Sequence, residues 1–128
     1  MKVSYSSQSR FGFTLVELMI VVAIIGLLAS LAVPNLARAR DTSRLNVIYN
    51  NLRVLEAAKE QWALDNNKTT GTPVDDISVL SGYLRWNTIH DVMNETYVPN
   101  PVGTPAEANL PSGASLGPYG PGTAIPAP

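Results

Sequence analysis

The sequence has no cysteine, a single histidine and a formal charge of only −1. Without thiols there is no structural disulfide, no zinc ribbon and no thiol chemistry, although the compartment stays open, since extracytoplasmic proteins also fold without disulfides. The one imidazole, His90 beside Asp91, belongs to no Ser-His-Asp arrangement, and no glycine-rich phosphate loop has the right context. It reads as a surface residue, and nothing here supports an enzyme. The near-zero charge exerts no broad pull on nucleic acid, so none is expected as a partner. No internal repeat is visible at any period.

What is present is unevenly distributed. The 128 residues suffice for one domain at most. Residues 1–12 are a short polar leader with Lys2 and Arg10 and no acid. Residues 13–33 form an apolar run whose strongly polar members are Thr14, Glu17 and Ser30. About 20 such residues span a bilayer as a helix. In residues 34–66, Leu45, Ile48, Leu52, Leu55 and Trp62 recur at steps of three, four or seven. That spacing predicts an amphipathic helix continuous with the first, stopped by Asn66-Asn67 and Gly71.

Residues 67–97 read as a small module. Thr72 as N-cap, Pro73 at the first helical position and Asp75 closing a capping box predict a short helix. Its stripe of Val74, Ile77, Leu80 and Leu84 would pack near Trp62. "RWNTIHDVMNETYV" is ambiguous between a short helix and a strand. Residues 98–128 hold eight of the ten prolines and five glycines. They are expected as a surface loop or tail, with no helix interior and no central strand. The fold class is α+β and helix-dominated: a long kinked N-terminal helix, then a small C-terminal module with few or no short antiparallel strands.

Glu17 poses the question. Translocon scales put an acid at a helix centre at about +2.5 to +3.5 kcal/mol, so intramembrane carboxylates are rare and have partners. A signal peptide cut near Ala37-Arg38-Ala39 would fit the basic leader, but its apolar region would be shorter and uncharged. A generic single-pass anchor leaves the acid unexplained. Helices already in lipid gain little from burying apolar surface against one another. The one register that pairs a carboxylate is therefore strongly selected.

The stretch "GFTLVELMIVVAIIGLLASLAVPNLARAR", with Gly12, Phe13, Glu17, Gly26 and Pro34 in order, resembles the N-terminus of type IV pilins and of the pseudopilins of type II secretion systems. The resemblance covers about 40 residues. It implies cleavage between Gly12 and Phe13 by a prepilin peptidase on the cytoplasmic side, and N-methylation of Phe13 by the same enzyme. It further implies that Glu17 meets the N-terminal amine of Phe13 in a neighbouring subunit as a helical homo-oligomeric filament grows. An assembly ATPase and an inner-membrane platform would drive that growth. The chain would be a single-pass protein of the bacterial inner membrane, N-terminus cytoplasmic, with its C-terminal module periplasmic or in an extracellular filament.

Pro34 lacks the N–H that would reach the Ser30 carbonyl, which predicts a kink. In the family, the stretch between such a glycine and proline bends or unwinds, here Gly26 to Pro34. The missing cysteines and the mature length of 116 residues (128 − 12) favour a type II secretion pseudopilin. A type IV pilus subunit serving adhesion, motility or DNA uptake is the alternative, as is a single-pass anchored binding module.

Other signals are weaker. Arg38, Arg40, Arg44 and Arg53 follow the span, either as a subunit-contact surface or as a solvated face with Asp41, Glu56 and Glu60 as local partners. The segment beyond the span is long enough to be translocated despite them. No cofactor is required; calcium, which major pseudopilins often hold in C-terminal loops, is the one raised by the resemblance. Asp75 with Asp76, and Asp91 with Glu95, are its candidate ligands, but capping and an i,i+4 pair explain them too, and the tail adds only Glu107. Asn67 and Asn94 match a glycosylation triplet. Tyr83, Trp86, Tyr97 and Tyr119 are expected to fill the small core.

Overall fold

The computed structural model describes residues 12–128. Lys2, Arg10 and the rest of the leader before Gly12 lie outside the described residues. Helix α1 (Leu15–Asp65) takes 51 residues. Its start has a cause in the sequence. Thr14 Oγ1 accepts the Glu17 backbone N–H at 3.2 Å, and the Thr14 carbonyl accepts Leu18 N at 3.2 Å. Thr14 is thus the N-cap and Glu17 the third helical residue, a T-x-x-E arrangement whose acid suits the positive end of the helix dipole.

Its end is a Schellman closure. Lys68 N donates to Ala63 O at 2.8 Å and Asn67 N to Leu64 O at 3.3 Å, with Asn67 left-handed at φ 52°. Asparagine tolerates that conformation, so the expected stop at Asn66-Asn67 holds, and Asn67 has a backbone reason to be there.

The chain divides into two units, residues 1–36 and residues 37–128. In the first, every described side chain from Gly12 to Leu36 is exposed. An 18-residue window of α1 reaches a mean hydropathy of 2.7, which makes the helix long and apolar enough to cross a membrane. α1 runs unbroken through Pro34. Nearby polar side chains are spent on its carbonyls: Ser30 Oγ donates to Leu27 O at 2.7 Å and Asn35 Nδ2 to Leu31 O at 3.0 Å. Neither bond reaches the Ser30 carbonyl, the one that Pro34 deprives of its helical donor.

In the second unit, the expected stripe is the core-facing side of α1. Ile48, Leu52, Leu55, Ala58 and Ala63 are buried, with Leu45 and Trp62 partly so. Each large aliphatic side chain contributes about 1.5–3 kcal/mol by leaving water. Opposite them lie Val74, Leu80, Leu84, Tyr97, Ala106, Ala108, Leu110, Leu116 and Ile125.

Three strands close this core: β1 (Thr96–Val98), β2 (Glu107–Asn109) and β3 (Ala124–Pro126). They form one antiparallel sheet in the order β1-β2-β3. Tyr97 faces Ala108, and Ala108 faces Ile125.

Three expectations are corrected. Residues 98–128 do supply a central strand, β2, because Pro105 and Pro111 flank it rather than interrupt it. Pro126 sits on edge strand β3, where its missing N–H faces no neighbour. The short helix is a 3₁₀ helix, Ile77–Tyr83, preceded by Asp76. Thr72 is no cap: its carbonyl accepts Val102 N at 2.9 Å, which holds that stretch outside the helix. Its stripe is nonetheless inward, with Leu80 and Leu84 buried. The segment left ambiguous between a short helix and a strand, residues 85–98, is loop until its last three residues, which form β1.

Candidate functional site

The N-terminal candidates share one stretch. Gly12 and Phe13 precede α1 as non-helical, exposed residues, Phe13 being 75% exposed. Among the described residues, nothing lies within 4 Å of where a Gly12 Cβ would stand. Glu17 is on the first turn of α1, and among the described residues its carboxylate takes part in no hydrogen bond or ion pair. Thr14, which sequence reasoning passed over, fixes that turn. The signal was its position three residues before Glu17.

A family model described as "Prokaryotic N-terminal methylation motif" matches residues 7–33. The chain carries the prokaryotic N-terminal methylation motif. It is similar to type II secretion system core protein G of Klebsiella michiganensis, 43% identical over 61 residues, which are 48% of this chain and 43% of that protein. It is also similar to core protein G of Pseudomonas aeruginosa, 33% identical over 92 residues (61% of this chain, 65% of that protein). The type IV major pilin protein PilA of Myxococcus xanthus is 40% identical over 68 residues, 53% of this chain and 31% of that pilin. The chain therefore spans less than two thirds of the length of these relatives. No solved structure matches it.

Within the motif, Gly26 meets nothing within 4 Å at its Cβ position, so this face of the helix admits close approach. Pro34, at the end of the apolar run, leaves the Ser30 carbonyl without the usual helical donor.

In the second unit, three of the acids raised as calcium ligands, Asp76, Asp91 and Glu95, are engaged in local hydrogen bonds. Glu95, 5% exposed, accepts from Val92 N at 3.0 Å, Met93 N at 2.7 Å and the Tyr97 hydroxyl at 2.8 Å. Asp91 accepts Asn94 N at 3.1 Å, and Asp76 accepts Ser78 Oγ at 3.2 Å. Among the described residues no three acidic or imidazole side chains converge. These donor sets do not fit a calcium cage.

Asn51 on α1 extends the Glu95 network, donating to Tyr97 Oη at 2.9 Å and to His90 O at 3.0 Å. Burial pushes the Glu95 carboxyl up, but hydrogen bonds from Tyr97, Met93 and Val92 outweigh it and hold the group below the usual carboxylate value. Burial, joined by Glu95, raises the Tyr97 hydroxyl well above its usual value, against the opposing pull of Asn51. Asn94, left-handed at φ 59°, shapes this loop.

Two further expectations change. Tyr97 is buried and Tyr83 and Tyr119 pack on the core, but Trp86 is 72% exposed beneath the Arg85 guanidinium, 5.9 Å away. Glu56 partners Lys59 at 2.9 Å rather than any arginine, the one ion pair among the described residues.

Proposed function

We propose that this chain is a structural subunit of a type IV pilin-like filament, most closely a type II secretion pseudopilin. It enters the membrane as a precursor, is cleaved after Gly12, is N-methylated at Phe13 and polymerises. Glu17 of one copy pairs with the Phe13 amine of the next. The span is single-pass in the inner membrane, N-terminus cytoplasmic. A prepilin peptidase, an assembly ATPase and an inner-membrane platform are its partners, and Gly26 and Pro34 are where the helix bends on packing.

One observation carries this reading. The methylation motif runs into a helix whose apolar side chains as far as Leu36, like Phe13 before it, lack cover among the described residues, with a carboxylate at its start. Lipid covers the monomer, and neighbouring helices cover the polymer. Similarity to core protein G and the absence of cysteine favour a pseudopilus. Similarity to the Myxococcus pilin supports the second reading, a type IV pilus subunit.

The test is the intact mass and N-terminal sequence of the protein taken from its host's membranes. A chain starting at N-methylated Phe13 is expected. An intact Met1, or a start near Asp41, would return Glu17 to an unexplained acid on an anchor or signal peptide.

A further inference from the structure

Lys59 lies on the apolar stripe of α1, one turn beyond Leu55 and on the side that carries Ile48 and Leu52, and it is 1% exposed. An ammonium taken so far from water costs several kcal/mol unless its protons are met. It has three protons to give, and three oxygens take them. Nζ donates to Glu56 Oε1 at 2.9 Å, to Pro99 O at 2.8 Å and to Thr104 O at 2.6 Å. Glu56 Oε1 also accepts the Ala106 backbone N–H, so the carboxylate is fixed from the other side.

Pro99, Thr104 and Ala106 all belong to the connection between β1 and β2. The rest of that connection is tied down independently. Val102 exchanges backbone hydrogen bonds with Gly71 (2.8 Å) and Thr72 (2.9 Å), and Asn100 Nδ2 donates to Pro105 O at 2.9 Å. The connection is therefore wrapped around a single positive charge supplied by the helix. A carboxylate oxygen converging with peptide carbonyls on one point is the donor chemistry of hard divalent cations. Here that point is the nitrogen of a side chain.

An exposed Lys–Glu pair would be worth about 0–1 kcal/mol and would order nothing. Lys59 differs by its burial and by the two carbonyls, which accept from no other donor among the described residues. Breaking such an arrangement leaves several buried acceptors unmet.

We infer that Lys59 is a built-in cation: its ammonium organises the β1–β2 connection, residues 99–106, in the manner of a bound metal ion, so that the order of this connection is independent of calcium or any other divalent ion. The inference concerns the second unit and stands apart from the filament reading. An open cavity of about 360 Å³ lined by Glu56, Lys59, Glu60, Thr104 and Pro105 gives small solutes access to the site.

The test is amide hydrogen exchange across residues 99–106 in the full-length protein in detergent micelles, with millimolar calcium or with EDTA. The wild-type exchange is expected to be the same in both. Lys59→Met, which keeps the stem and removes the charge, should lose about tenfold or more of the protection there. Lys59→Ala should recover part of it on addition of n-propylammonium, which replaces the missing side-chain atoms.

Wild-type protection that rises with calcium or falls with EDTA would overturn the inference by revealing an external ion. Protection retained in Lys59→Met would overturn it by showing that the packed stem suffices. So would the absence of any propylammonium effect on Lys59→Ala. If either variant fails to fold, the wild-type comparison still decides whether a divalent ion is needed.

Discussion

The Tyr97 hydroxyl donates to Glu95 Oε1 at 2.8 Å while accepting from Asn51 Nδ2 at 2.9 Å, which joins β1 to α1 through one oxygen atom. Tyr97→Phe keeps the ring in the core but strips Glu95 of a donor and Asn51 of an acceptor. The expected loss is about 1–3 kcal/mol. For a unit of this size, each kcal/mol lowers the thermal midpoint by about 4–8 °C, so a thermal melt of the detergent-solubilised protein resolves it.

Glu95 predicts an acid limb. Its folded pKa lies below the unfolded one, so its contribution is complete above the unfolded value of about 4.3 and disappears as pH falls through the folded value. Glu95→Gln should flatten stability against pH in that window. Tyr97 works in the opposite sense: with its folded pKa raised, its contribution is complete below about 10 and disappears as pH climbs through the folded value. Urea melts across both ranges check the two limbs. An unchanged acid limb in Glu95→Gln would assign it to another carboxylate.

Glu17→Ala should insert normally and fail to polymerise, with filament yield down about tenfold or more, the factor carried by each 1.4 kcal/mol. Membrane fractionation and sedimentation of sheared filaments separate the two steps. Normal polymerisation of this variant would remove Glu17 from assembly and favour an anchored binding module.

Gly103 has φ +84°, and a Cβ built there lies 2.6 Å from Thr70 Cγ2. Gly103→Ala therefore meets both backbone strain and a clash, and should cost about 1–3 kcal/mol. Thr70→Ser removes the clashing methyl group, so the double variant should regain part of the loss. Thermal midpoints of the three variants measure this; a fully additive pair would leave backbone strain as the whole cause.

The methylation motif was legible because fixed spacing carries it: Gly12, Phe13 and Glu17 stand out within it without knowledge of their neighbours. The stripe through Ile48, Leu52 and Leu55 was legible because a helix repeats its period over many residues. The sheet was not. Strands of three residues, Thr96–Val98 among them, are too short to display an alternation, and the prolines around Glu107–Asn109 look like breakers until pairing shows which N–H groups the ladder needs. Lys59 was hidden by its charge, although it falls within the seven-residue step from Leu55 to Trp62, where the period calls for an inward residue. The Glu95 network depends on a loop whose left-handed asparagine leaves no periodic trace.

The core draws on both early and late parts of the chain: Tyr49 bonds Tyr119 at 3.0 Å, and Ile48 shares its cluster with Ile125. Contacts this far apart in sequence make folding slow, because loop closure must precede the reward. They also set a timetable. The apolar segment from Phe13 leaves the ribosome long before Ile125 is made, so it can reach the bilayer while residues 37–128 still lack their closing strand. On this schedule the apolar segment is free of the ribosome before the core of residues 37–128 can close.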